Sequence, residues 1–212
     1  MSMPVVALAC CALYTFVGVG LRMALQVRRT GSTGYHGYGG AGRVERIAGL
    51  GCILSSGLVG LWAPLAAMAG VVEPIAALEE PLIQGAGLAT CLVSIAAMFY
   101  AQVAMGDNWR VGVDPAERTE LVIGGPYALM RNPIYTAWMG TFAGLVLLVP
   151  SWLSLTGAAL LLLSMEVLVR GAEEPYLREA HGAAFVGYAA RVGRFVPGIG
   201  RLDPPQGASG DA

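Results

Sequence analysis

The sequence predicts an all-α, polytopic integral membrane protein of about five transmembrane helices, with an amphipathic C-terminal helix and no Rossmann domain. Three observations predict it. Of 212 residues, 56% are hydrophobic and only 13% charged, where soluble domains carry about 25% charged residues. Five apolar runs approach or exceed the ~20 residues needed to cross a bilayer. All 13 basic side chains are arginines, and they gather at alternate connections. Arg22, Arg28, Arg29, Arg43 and Arg46 follow the first run. Arg110, Arg118 and Arg131 follow the third, and Arg170, Arg178, Arg191, Arg194 and Arg201 the last. The connections at 73–80 and at Pro150 and Ser151 carry none. Basic residues beside spans stay cytoplasmic, which puts the amino terminus outside and the carboxyl terminus in the cytoplasm.

The elements follow in order. Residues 4–25, 47–72 and 82–105 each read as a full span. No basic residue precedes the first run, so it reads as a retained span rather than a signal peptide. Residues 134–149 and 152–169 are shorter and divided only by Pro150 and Ser151, which makes a tight hairpin with its turn at the far interface. Gly140 and Gly144 have the spacing that lets helix backbones approach closely, inside the chain or across a dimer. Residues 26–46, rich in Gly and Tyr, read as a flexible cytosolic loop. In residues 173–192, Leu177, Ala180, Ala184, Tyr188 and Val192 repeat at helical spacing, an amphipathic helix that lies on the membrane or caps the spans. The chain thus divides into residues 1–105, three spans with the loop 26–46; residues 106–201, bearing the site; and residues 202–212, a disordered tail.

Several chemistries are excluded. Cys10, Cys11, Cys52 and Cys91 lie inside apolar runs without metal-type spacing and read as buried thiols. His36 and His181 lack second ligands, so no metal site is expected. No basic patch is interleaved with aromatics, so nucleic acid is not a partner. Glu166 sits one turn before Arg170, a spacing that pairs the two on a helix.

Polar residues gather on the arginine-bearing side. Gly124-Gly125-Pro126 reads as a turn with free N–H groups. Asn132-Pro133 has the form of a helix N-cap followed by a first-turn proline. With Arg131, this end suits a ligand carboxylate or phosphate. Glu173 and Glu174, across the hairpin, call for a cation or hydrogen-bond donors. One ligand with a carboxylate and a cationic centre would satisfy both ends; pairing of Arg131 with a glutamate is the competing reading.

The string from Gly125-Pro126-Tyr127 to Arg131-Asn132-Pro133-Ile134-Tyr135 resembles the signature of isoprenylcysteine carboxyl methyltransferases and their phospholipid N-methyltransferase relatives. Glu173-Glu174-Pro175-Tyr176-Leu177, the continuation to Arg194-Phe195-Val196-Pro197 and the upstream Asn108-Trp109-Arg110 also resemble that family, the last its bacterial members. The resemblance implies an enzyme of the bacterial plasma membrane that transfers methyl from S-adenosylmethionine to a lipophilic or lipidated acceptor, a prenylcysteine-type carboxylate or a membrane lipid among them. It assigns Tyr127, Arg131, Asn132, Pro133, Tyr135 and Glu173 or Glu174 to cofactor binding, and the backbone around Gly125 and Pro126 is expected to join them in holding the cofactor's carboxylate. Arg110, Glu173 and Glu174 are the expected catalytic residues. Asn132 stands where better-known members carry histidine, and asparagine does not titrate near neutral pH. The alternatives are a membrane NAD(P)H-dependent sterol- or steroid-type reductase and a non-enzymatic membrane scaffold. Oligomeric state and acceptor stay open.

Overall fold

The apolar runs fold as helices α1 (Met3–Thr30), α2 (Arg43–Met68), α3 (Pro81–Ala104), α4 (Pro133–Leu148) and α5 (Trp152–Leu168). A turn of π-helix, Val169–Glu173, leads into α6 (Glu174–Arg191). This computed structural model describes residues 2–38, 40, 42–112 and 120–203. Arg118 and residues 204–212 of the expected tail lie outside them. α1, α2, α3 and the continuous helix that begins with α5 are long and apolar enough to cross a membrane; α4, with 16 residues, is shorter. Among the described residues there is no strand, only isolated bridges such as Tyr35 to Val111 and Met130 to Gly193.

Proline opens α3 and α4 at the first helical position, where its missing N–H costs nothing. Ser151 starts α5 with a reciprocal cap: its hydroxyl accepts from the Ser154 N–H, and its own N–H donates to Ser154 Oγ. The two arginine-free connections meet where the Ile75 N–H donates to the Pro150 carbonyl at 2.8 Å. At the opposite end, Arg22 donates to the Gly106 carbonyl at 2.7 Å, and the Arg131 N–H to that of Gly193 at 2.8 Å. The alternation of arginines therefore corresponds to two ends of one bundle. Glu166 and Arg170 form the anticipated pair at 2.5 Å.

α3 and α4 touch backbone to backbone. A Cβ on Gly144 would stand 2.6 Å from the Gly87 carbonyl oxygen and 2.7 Å from Cys91 Sγ, and one on Gly140 would meet Ser94 Oγ at 2.5 Å. The small residues of α4 thus serve contact within the chain. Phe142, Leu145 and Leu148 on α4 join Leu161, Met165 and Leu168 on α5 in the buried core.

Two expectations need correction. Residues 26–46 are not one loose loop. Residues 26–30 finish α1, Gly31 caps it in the left-handed conformation (φ 77), and α2 begins at Arg43. The His36 N–H donates to the Val111 carbonyl at 3.0 Å and the Val111 N–H to that of Gly34 at 2.8 Å. Gly34 permits this close approach, since a Cβ there would lie 2.8 Å from the Trp109 carbonyl. The stripe of the last helix is also redrawn. Leu177 is half-buried, but Ala180 and Ala184 are exposed, and Phe185, Tyr188 and Ala189 are the buried residues. Gly182 breaks the helix (φ 53, ψ -127), a conformation that an L side chain rarely adopts, so the period restarts after it. Beyond the helix, the Leu202 N–H donates to the Ala189 carbonyl at 3.0 Å.

A buried ion triad ties these pieces together. Glu174 Oε1 accepts from Arg131 Nη2 at 2.6 Å and from Arg194 Nε at 2.8 Å; Oε2 accepts from Arg194 Nη2 at 3.0 Å. Arg131 Nη1 also donates to the carbonyls of Ala189 (3.1 Å) and Val192 (2.5 Å), and Nη2 to that of Gly200 (3.0 Å). The start of α4 is thereby fastened to both ends of α6 and to the segment beyond.

Two outcomes follow from this architecture. Gly144→Ala, which places a methyl against backbone, is expected to destabilise the bundle by about 1–3 kcal/mol, while Gly57→Ala, with open space around it, leaves it unchanged. Arg131→Ala removes one of the two cations on the buried Glu174 carboxylate and a donor from the carbonyls of Ala189, Val192 and Gly200, and is expected to cost about 3–5 kcal/mol. Reversible unfolding in mixed detergent micelles measures both.

Candidate functional site

Polar groups from distant parts of the sequence converge on one cavity of about 420 Å³, within the range of about 300–1,000 Å³ typical of small-molecule sites. Arg110, Tyr127, Arg131, Asn132, Pro133, Tyr135, Glu173 and Glu174 all border it. Of the expected site residues only Gly125 and Pro126 stay off its wall. They form the short 3-10 turn Gly125–Ala128, with Gly125 at φ 59, and so seat Tyr127. The Tyr127 hydroxyl donates to the Ala101 carbonyl at 3.3 Å, and Tyr188 donates to the Tyr127 carbonyl at 2.6 Å.

Several backbone donors at this end are taken by the protein. The N–H groups of Tyr127, Leu129 and Met130 close the turn itself. Those of Arg131 and Asn132 donate to the carbonyls of Gly193 and Arg194, and Asn132 Nδ2 also donates to Arg194 at 3.2 Å. Thr136 Oγ1 completes this seam on the Phe195 carbonyl at 2.7 Å. Asn132 holds the N-cap position of α4, but its side chain makes no cap bond. The competing reading of Arg131 is the geometry found: it meets Glu174.

Glu173 differs from its neighbour. It lies past the apolar stretch of α5, in the π-helical turn, and accepts a short hydrogen bond from the Tyr135 hydroxyl. Burial pushes its carboxyl up to about 7, against the Tyr135 hydrogen bond; Glu45 adds to the rise and Arg110 opposes it. Burial acts on Glu174 too, but hydrogen bonds from Arg194 and Arg131 outweigh it and hold that carboxyl below its usual range. Two adjacent glutamates are thus split by their surroundings into one bound anion and one group that titrates near neutrality.

The remaining walls are aromatic. The Arg110 guanidinium lies 5.1 Å from the centre of the Tyr176 ring. Arg22, almost wholly buried on α1, lies 4.6 Å from the centre of the Trp109 ring while holding the Gly106 carbonyl. Gln26, one turn on, donates to the Asp107 carbonyl at 2.9 Å. Arg22 and Gln26 thus fix the segment carrying Trp109 and Arg110, a role the sequence reading missed because Arg22 counted only as a topological charge. Their spacing of four on one helix face was the available signal. Gln102 was missed likewise: its Nε2 donates to the Gly18 carbonyl at 2.9 Å, in a π-helical turn of α1, Phe16–Leu21. Gln102 Oε1 and Arg131 Nε, both on residues bordering the cavity, are buried without a protein partner.

Residues 82–184 match the model of the phospholipid methyltransferase family. No curated protein matches the chain in sequence. Among solved structures, the eukaryotic intramembrane Ras methyltransferase, isoprenylcysteine carboxyl methyltransferase, superposes with a TM-score of 0.61 at 19% identity. The alignment covers 92% of this chain and 66% of that one, so the chain spans just under two thirds of the length of that relative. Over residues 82–184 the chain is thus similar to the phospholipid methyltransferase family, and over nearly its whole length it has the fold of isoprenylcysteine carboxyl methyltransferase.

Proposed function

We propose that this protein transfers the methyl group of S-adenosylmethionine to a lipophilic acceptor, at a face of the membrane that the arginines mark as cytosolic. The observation that carries the reading is one cavity, within the family-matched region and beyond it, whose walls include Glu173, Asn132 and Arg110 as well as Tyr14, Ile53 and Trp138. A polar nucleotide and an apolar acceptor need such a mixed site. The residues present fit the cofactor: a carboxyl suits its ammonium group, and aromatic faces suit a sulfonium at about 0.5–2 kcal/mol.

When bound, S-adenosylmethionine would supply an electrophilic methyl for in-line transfer to the acceptor, with its sulfur departing as the neutral thioether of S-adenosylhomocysteine. The chain's own residues supply alignment, the main contribution in such a displacement. Glu173, Tyr135, Asn132 and Pro133 line the cofactor side, with Tyr127 and Trp109 as aromatic faces. Arg131 and Glu174, engaged with each other, set the spacing of that wall, and Gly125 and Pro126 hold Tyr127 in it. Arg110 orients an acidic acceptor such as a prenylcysteine carboxylate. For an acceptor that must lose a proton, Glu173 is the group poised to take it, because Asn132 does not titrate.

Equilibrium binding of labelled S-adenosylmethionine to purified protein tests the reading. Wild type is expected to bind, and Glu173→Gln to bind at least tenfold more weakly with its unfolding temperature retained at acidic pH. Absence of binding by wild type sinks the proposal. The titration of Glu173 gives a second outcome. Its folded-state value lies above the ordinary 4.5, so its contribution to stability is full below that value and lost as pH rises through about 7. The unfolding temperature of wild type should fall across this window relative to Glu173→Gln.

A further inference from the structure

The family match begins at residue 82, yet the cavity does not. Tyr14 on α1, Tyr38 on the α1–α2 connection, and Ile53 and Ser56 on α2 border the same space. Trp138 on α4 borders it too, and its indole Nε1 donates to Ser56 Oγ at 3.2 Å. A partly buried indole N–H is well served by such a partner, and the bond fixes the ring as a wall. Tyr14 stacks beside it, with ring centres 6.3 Å apart. Tyr38 is wedged against α2 because Gly49 has no side chain: a Cβ there would overlap the Tyr38 ring. Tyr38 thus packs on the α2 face and borders the cavity that Glu173 also lines.

We propose that α1, α2 and their connection form the acceptor-selecting half of the site: the acceptor's hydrocarbon tail lies against Tyr14, Ile53 and Trp138, and Tyr38 stands where tail and polar group join. This rests on the methyl-transfer reading above and extends it. The wall is apolar and aromatic, as a hydrocarbon chain requires. It is continuous with the end that holds Glu173, so a molecule anchored here presents its polar group there. Ile53 is 49% exposed while bordering the cavity, which makes it a position where added bulk narrows the slot without overpacking the core. A prenyl and an acyl tail share this chemistry, and the assay separates them.

Wild type, Ile53→Trp and Ile53→Val are compared in nanodiscs, with Tyr38→Ala as an independent variant. Binding of labelled S-adenosylmethionine is measured beside methyl incorporation into farnesyl- and geranyl-cysteine analogues, phosphatidylethanolamine vesicles and a lipid extract of the host membrane. Ile53→Trp is expected to raise the acceptor KM at least tenfold, to shift preference toward the shorter tail, and to leave cofactor affinity within twofold. Ile53→Val keeps wild-type behaviour. Tyr38→Ala raises the acceptor KM more than it lowers kcat. An unchanged acceptor KM in both Ile53→Trp and Tyr38→Ala overturns the assignment, as does an equal loss of cofactor binding in both. Wild type that binds the cofactor and methylates none of the four probes overturns it too. Wild type that binds no cofactor instead removes the underlying reading, so the two failures are told apart.

Discussion

The site depends on a carboxylate held between two guanidinium groups. Glu174 lies between Arg131, which precedes α4, and Arg194, which follows α6. Withdrawing three charges from water is expensive, and a buried ion pair often adds little net stability over a well-packed apolar substitute. What it supplies here is location. The bonds of Arg131 reach Ala189, Val192 and Gly200 as well as Glu174, so one side chain sets where α4 begins relative to everything after residue 173. Glu173, next in the chain to the anchored Glu174, is thereby delivered to Tyr135. The anchored and the titrating glutamate are two parts of one device.

The interaction also explains why the motif is contiguous in sequence without being contiguous in role. Tyr127, Asn132 and Tyr135 border the cavity. Gly125 and Pro126 shape the turn that seats Tyr127. Arg131 faces the cavity wall while spending its terminal nitrogens on the protein. The chain has the fold of isoprenylcysteine carboxyl methyltransferase at 19% identity, a level at which a shared scaffold says nothing of a shared acceptor, and the two glutamates show how adjacent residues on it come to differ.

Much of the fold was legible in the sequence because its information is local. Run lengths placed the helices to within a few residues, and Pro133, Pro81 and Ser151 marked starts that hold in the structure. Which polar residues would gather was legible for the same reason: short motifs carried Tyr127, Asn132, Tyr135 and Glu173. Partners were not legible. Arg194 lies 20 residues beyond Glu174 and Arg131 lies 43 before it, and nothing local selects one arginine among 13. Nor did periodicity reveal the break at Gly182, since alanines on either side continue the pattern. An isolated glycine inside a helical stretch was the only warning. The contribution of Tyr14, Tyr38 and Ile53 was invisible, because apolar residues in an apolar run carry no sign of what they face.

The brevity of α4 has a consequence for the surroundings of the protein. Sixteen residues rise about 24 Å, several ångströms less than the roughly 30 Å hydrocarbon layer of a typical bilayer. Held backbone to backbone against the longer α3 and fixed at both ends, α4 has little room to adjust by tilting. The lipid must thin beside it, or its polar entrance must sit below the headgroup plane. Bilayer thickness thus enters the workings of the site as a physical variable: membranes of different thickness would set that doorway at different depths without altering a single residue.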